Sequence, residues 1–232
     1  MDFLFSSISF YNEAAKIEFE TEELKEVMAQ VLNITKEYSP KVTGDIEKIK
    51  IAINELPSKE LEELAHYFII EKKLSLAGKT EAETNALSSK ELLSFVVINS
   101  IKPFVKTVAR GLKDLAGLDK WTHGYCPVCG WQPLMGKVAN DNKRVLHCSL
   151  CDFEWSFKRL KCTECGNENH ETLQHFTVSG EEGREVHICD ECKAYLKVVN
   201  TKELILEKDM TLEDVKTIPL DMLAKKEGYH KK

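Results

Sequence analysis

The first 125 residues contain no cysteine, and all eight cysteines of the 232-residue chain fall between Cys126 and Cys192. That divides the chain, near Trp121, into two regions of different chemistry. Other absences narrow the function. There is no basic surplus, since 32 Lys and Arg stand against 38 Asp and Glu for a net charge of -6, so nothing draws the chain as a whole to nucleic-acid phosphates or anionic lipid. No apolar run approaches the roughly 18 residues that a membrane span needs. The opening MDFLFSSISFYNEAAK has an acid at position 2, no basic stretch and early serines, and does not read as a secretory signal. The expected setting is the cytoplasm, without membrane insertion. Thiols stay reduced there, and cysteine pairs more often hold metal or do redox work than form structural disulfides. The chain also lacks a Gly-rich phosphate loop, HExxH and a nucleophile elbow, so no sequence feature asks for an enzyme.

What is present is an ordinary globular composition, 43% hydrophobic and 30% charged. From Thr21, the residues Leu24, Val27, Met28, Val31 and Leu32 recur at three and four, one face of an amphipathic helix with Glu22 and Glu23 in its first turn. A shorter helix is expected around Ile46, Ile49 and Ile53. Ser58 can cap another, with the stripe Leu61, Leu64, Ala65, Phe68 and Ile69. The segment from Leu92 to Ile98 is apolar nearly all round, as a helix buried on several sides would be. Ser88 and Glu91 stand in capping-box relation before it, and Pro103 is expected to kink or divide it. These stripes read as core packing, and His66 as a half-buried histidine bonded to a neighbour.

After Trp121 the pattern changes to short β segments between cysteine pairs. KRVLH before Cys148 and FEWSF after Cys151 read as strands, as do TLQHFTV and REVHI, joined by the turn-rich SGEEG. The tail after Asp209 returns to helix: Thr211 and Asp214 can cap a first turn, Pro219 suits the start of a second helix, and Gly228 ends it.

Each CxxC puts two sulfurs on the inside of one tight turn, half of a tetrahedral thiolate site. Eighteen residues separate Cys129 from Cys148 and 23 separate Cys165 from Cys189, so consecutive pairing makes two sites. Site one is Cys126, Cys129, Cys148 and Cys151; site two is Cys162, Cys165, Cys189 and Cys192. The two units start 36 residues apart, a tandem repeat of knuckle, hairpin, knuckle. Gly130 and Gly166 follow the first knuckle of each unit, where positive φ suits a glycine; Asp152 and Lys193 occupy the matching places after the second. A region with so few large apolar side chains needs a staple. Structural zinc in finger peptides is worth roughly 10 to 16 kcal/mol, more than the net stability of a typical domain. Four thiolates suit both zinc and rubredoxin-type iron. A closed site leaves no position for a substrate, and His147, His170, His175 and His187 read as strand or supporting residues. Between Trp121 and Asn200 nine basic residues face eleven acids, with only Lys158, Arg159 and Lys161 clustered. Such a cluster suits a solvated strand edge or an acidic patch on a partner, and argues against nucleic acid. Trp131 and Trp155 read as core aromatics in preference to interface ones.

The runs GYCPVCGWQP, LHCSLCDFEWSFKRLKCTECGN and HICDECKAYLKVVN closely resemble the formate dehydrogenase accessory (formation) protein family, FdhE. His147, Trp155 and Arg159, and Tyr195, Leu196 and Lys197, stand where that family's pattern has them. Weaker echoes are NSIKPF at 99–104 and LDMLAKKEGY at 220–229. The resemblance implies a helical N-terminal domain followed by two rubredoxin-like modules, with all eight cysteines as metal ligands and iron favoured. It also implies a cytoplasmic accessory factor that binds the catalytic subunit of a molybdenum- or tungsten-dependent formate dehydrogenase and assists its maturation. The expected organisation is a multidomain α plus small metal-bound β protein: a helical domain at 1–118, rubredoxin-like or zinc-ribbon modules at 119–158 and 159–208, and a helical tail at 209–232. Two other classes fit the cysteine pattern: a rubredoxin-like electron carrier, and a nucleic-acid-binding ribbon protein, ranked last because of the acidic balance.

Overall fold

The computed structural model describes residues 17–71, 90–112, 120–138, 143–201 and 209–231. Helix α1 (Thr21–Tyr38) buries Leu24, Met28 and Leu32, one turn apart. Its first-turn glutamates and Lys36 in the last turn match the helix dipole. A 3-10 turn at Pro40–Val42 leads to α2 (Thr43–Glu55), which buries Ile46, Ile49 and Ile53, and α3 (Ser58–Glu71) follows. These are the expected stripes. His66 Nε2 lies 2.6 Å from the Ile17 carbonyl, the bonded half-buried histidine that was expected.

Helix α4 (Lys90–Gly111) runs unbroken through Pro103. The proline does not divide it. One missing N–H leaves one carbonyl short of a bond, while Ile101 and Val105, both fully buried on either side, keep the two halves in one core. The Ser88 cap lies outside the described residues. An 18-residue window of α4 has a mean hydropathy of 1.4, apolar and long enough by composition to cross a membrane, and 39% of the window is buried in the protein. Ser94, Asn99, Ser100, Lys102 and Lys106 break up the apolar residues of this helix, which is why run length alone did not flag it.

The second region forms one six-stranded mixed sheet: β1 (Pro133–Val138), β2 (Arg144–Cys148), β3 (Glu154–Phe157), β4 (Leu173–Thr177), β5 (Arg184–Cys189) and β6 (Tyr195–Asn200), in the order β3-β2-β1-β6-β5-β4. All pairs are antiparallel except β1 with β6, which is parallel, with Gly136 opposite Val198 and Lys137 opposite Val199. In each half, the first strand follows one knuckle, the second leads into the next, and the third leaves it. The expected β2, β3, β4 and β5 are present, with the hairpin ending at Cys189. The two strands that join the halves were not expected. β1 carries a proline and a glycine, which weaken a strand signal. β6 is buried at five of six positions, without alternation. The glycine is used for close approach: a Cβ on Gly136 would stand 3.3 Å from both Leu196 and Val198 side-chain atoms of β6.

The helices share a core with the first half of the sheet, including Leu146, Phe153, Trp155 and Phe157. Trp131 Nε1 donates to the Ile69 carbonyl at 3.1 Å, tying α3 to the strand side of the first knuckle. Phe19 packs edge-on against Phe104 at 5.3 Å. Trp155 is buried with its indole N–H bonded to the His123 carbonyl, the core role expected of it.

The second half is covered by α5 (Met210–Lys216) and α6 (Ile218–Lys226). Asp209 caps α5, its side chain accepting from Thr211 N at 2.8 Å, in place of the expected Thr211 and Asp214. Pro219 sits in the first turn of α6, and Gly228 takes φ 88° beyond it. Under these helices lies Lys197, fully buried, its ammonium 2.8 Å from Asp214 Oδ1 and 2.6 Å from Asp221 Oδ2. Tyr195 completes the network by donating to Asp221.

Candidate metal centres

The four CxxC turns are copies of one local structure. Cys126 N donates to Trp131 O, Cys148 N to Phe153 O, Cys162 N to Asn167 O, and Cys189 N to Ala194 O, all between 2.8 and 3.0 Å and all spanning five residues. Each turn closes through a residue of positive φ directly after its second cysteine: Gly130 at 71°, Asp152 at 58°, Gly166 at 74° and Lys193 at 57°. The two glycines meet no steric cost there. Asp152 and Lys193 are held in place by charge: Asp152 pairs with Lys106 at 2.5 Å, and Lys193 with Asp190 at 2.7 Å.

These turns bring the sulfurs together as the spacing predicted. Cys126, Cys129, Cys148 and Cys151 form one group and Cys162, Cys165, Cys189 and Cys192 another, the sulfurs within each lying within 4.8 Å of one another. In site one the separations are 3.6 Å for Cys126 to Cys151, 3.4 Å for Cys129 to Cys148 and 3.6 Å for Cys129 to Cys151. In site two Cys162 is 3.6 Å from Cys192 and Cys165 is 3.7 Å from Cys189. A tetrahedron with metal–sulfur bonds of roughly 2.3 Å has edges of about 3.8 Å. The observed edges fit that figure and are far longer than a disulfide bond of roughly 2.05 Å. Each group could therefore hold one tetrahedral metal ion.

Donors around the sulfurs favour their anionic form. Leu150 N and Cys151 N point at Cys148 Sγ at 3.4 and 3.5 Å, and Glu164 N at Cys162 Sγ at 3.4 Å. The Asn167 amide, which sequence reasoning did not single out, donates to Cys189 Sγ at 3.6 Å. Without a cation the thiols compete. Burial and its cysteine neighbours push Cys129 well up, and its neighbours together with burial do the same to Cys151. Cys148, although burial opposes it, is carried well below the usual thiol range by hydrogen bonds from the other three. In site two, burial raises Cys162, whereas Cys189 is brought down to about 7 by backbone N–H groups and the Asn167 amide acting against burial.

The sites differ in cover. Every cysteine of site one is at most 3% exposed, beneath the helical layer. In site two Cys162 and Cys189 are buried, Cys192 is half-buried and Cys165 is exposed. None of the histidines joins either group. His147 bridges Asp152 and Glu154 at 3.5 and 3.3 Å. His187 lies 2.7 Å from Glu185, with the His175 ring 5.7 Å away. The two halves also touch directly: a Cβ on Gly124, just before the first knuckle, would fall 1.9 Å from the Thr163 carbonyl oxygen of the third.

Residues 125–159 match the family described as "FdhE, central domain" and residues 160–232 the one described as "FdhE, C-terminal domain". A protein of Aquifex aeolicus named "Protein FdhE homolog" is 30% identical over 175 residues, covering 73% of this chain and 60% of that protein. "Protein FdhE" of Escherichia coli K12 is 35% identical over 113 residues, covering 45% of this chain and 34% of that protein. The chain thus spans between a third and three fifths of these relatives. The crystal structure of the FdhE protein from Pseudomonas aeruginosa superposes with a TM-score of 0.56 at 18% identity, over 91% of this chain and 93% of the other, which places the two in the same fold.

Proposed function

We propose that this chain, which belongs to the FdhE family, is a cytoplasmic accessory protein without turnover of its own that binds the catalytic subunit of a formate dehydrogenase and assists its maturation. The family match across both cysteine-bearing segments carries the reading. The closed donor sets support it, because four sulfurs leave no coordination position for a substrate. All eight cysteines act as metal ligands in this reading, each half of the sheet being a rubredoxin-like unit holding iron or zinc, with the helices of residues 1–118 as a docking body. Bound iron would supply one-electron chemistry and bound zinc a purely structural cross-link. The protein's own part is to hold both clusters in one rigid sheet and offer a face to the client.

The deciding experiment is mild affinity purification of the tagged protein from its native host grown on formate, with co-purifying proteins identified by mass spectrometry. Recovery of a formate dehydrogenase catalytic subunit is the expected result. Its absence while that subunit is abundant would remove the assembly role.

A second reading, a rubredoxin-like electron carrier, is favoured by the exposure of Cys165, since electron transfer needs a cluster near the surface. It requires a reversible one-electron couple at site two and reduction by a cellular reductase. A protein that carries only zinc when isolated anaerobically fails that test.

A further inference from the structure

Arg144 and Arg159 line a cleft of about 280 Å³ between the two halves of the sheet, beside Cys162 and Cys189. Arg144 is 4% exposed. Its Nη2 donates to the carbonyls of Lys158 and Lys161, which fixes the linker between the second and third knuckles as the rim of the cleft. Its Nε has no hydrogen-bond partner among the described residues. Arg159 sits exposed on that rim and forms no hydrogen bond or ion pair with the described residues. A buried donor left idle is costly, and burial together with the charge of Arg159 draws the Arg144 guanidinium down to about 10 against an opposing pull from Cys162. Glu185 senses the charge of Arg159 but is itself held by His187, and neither arginine forms an ion pair with a carboxylate among the described residues.

The thiolates of site two are one source of negative charge, and Arg144 offsets part of it. That does not account for Arg159, nor for the aliphatic wall of Leu160, Leu173, Ile188 and Leu196 that faces the same space. The cleft is smaller than most small-molecule sites and has room for one or two side chains. Leu173, Gln174 and His175 of its wall also belong to β4, which among the described residues pairs only with β5 and ends the sheet. A strand edge left unpaired among the described residues, beside an apolar cleft that holds the idle Nε of Arg144 and the exposed Arg159, is the arrangement that receives an extended peptide, and arginine is the side chain best shaped for a carboxylate.

We propose that this cleft binds an extended peptide segment bearing an aspartate or glutamate next to an aliphatic residue, with the carboxylate at Arg159 and Arg144 and the backbone along β4. The site stands whichever protein supplies the segment, and independently of the accessory role.

The test uses the full chain loaded with zinc and an acetylated, amidated peptide of alternating valine and glutamate. Binding is followed by fluorescence anisotropy of the labelled peptide and by amide NMR shifts. The expected result is saturable, salt-sensitive binding, with shifts in residues 158–161 and 173–177. Arg159→Gln should bind at least tenfold more weakly while keeping its metal. Arg144→Lys retains the charge but loses the fork and should bind at intermediate strength. Equal binding of a valine and glutamine peptide, tighter binding of inorganic phosphate than of the peptide, or no binding at millimolar peptide would overturn the proposal. So would an Arg159→Gln protein of unchanged affinity, because the arginines would then serve only to offset thiolate charge.

Discussion

Lys106 Nζ lies 2.5 Å from Asp152 Oδ2, so a charge on α4 is fixed to the left-handed residue that closes the second knuckle. Both side chains are about a third exposed, 31% and 38%, which limits what the pair contributes. Lys106→Met should cost about 0.5 to 1 kcal/mol in denaturant unfolding. A loss above about 2 kcal/mol would mean that the pair carries more of the helix-to-sheet interface than its exposure permits.

The unequal cover of the two clusters should appear as unequal metal release. A chromogenic chelator is expected to withdraw one equivalent quickly, from site two, and the second only as the protein opens, because site one lies under the helices. Cys165→Ser should abolish the fast phase and leave the slow one. A single phase for both ions in the parent protein would contradict the structural asymmetry.

Glu154 accepts from His147 and, at 2.6 Å, from Lys137, and these contacts outweigh burial to lower its pKa from the ordinary 4.5 to about 2. Its stabilising contribution is therefore fully present above about pH 4.5 and lost as pH falls through about 2. Solvent screening of a side chain 38% exposed reduces that contribution to about 1 kcal/mol. The unfolding free energies of the parent and Glu154→Gln should differ by a constant amount between about pH 4.5 and 6.5, where His147 is protonated in both states, and converge in acid. Acid-driven metal loss is common to both proteins and cancels in the difference; a gap that widens in acid would reverse the assignment.

Lys197 is fully buried between Asp214 and Asp221. Lys197→Met keeps the volume but strands two carboxylates facing each other, and removing one member of a buried ion set typically costs about 3 to 5 kcal/mol. The loss should concentrate in α5 and α6, read as faster amide exchange across residues 210–226. Uniform exchange changes across the sheet would place the network's role elsewhere.

The two cysteine clusters were the most legible part of the chain, because CxxC spacing is a local rule and the fold merely obeys it. The helices of residues 21–69 were legible for the same reason: Leu24, Met28 and Leu32 announce their face by period alone. What the sequence hid was the junction. β6 carries Lys197 in an otherwise apolar strand, and only the aspartates some 17 and 24 positions later make that lysine a core residue. Arg144 was likewise read as an ordinary strand residue, since its burial depends on carbonyls from a linker that follows it. Asp152 stands where the first knuckle has a glycine, and its left-handed conformation is accompanied by an ion pair with Lys106, almost fifty residues away.

The strand order β3-β2-β1-β6-β5-β4 has a consequence for how such a protein can grow. The two halves repeat the same strand order side by side, so among the described residues β4 ends the sheet as β1 ends the first half. A third unit could dock its own last strand, in parallel, against β4 by repeating the junction already made by β1 and β6. Among the described residues the sheet is thus a ribbon of two repeats whose free β4 edge keeps the geometry by which the repeats were joined.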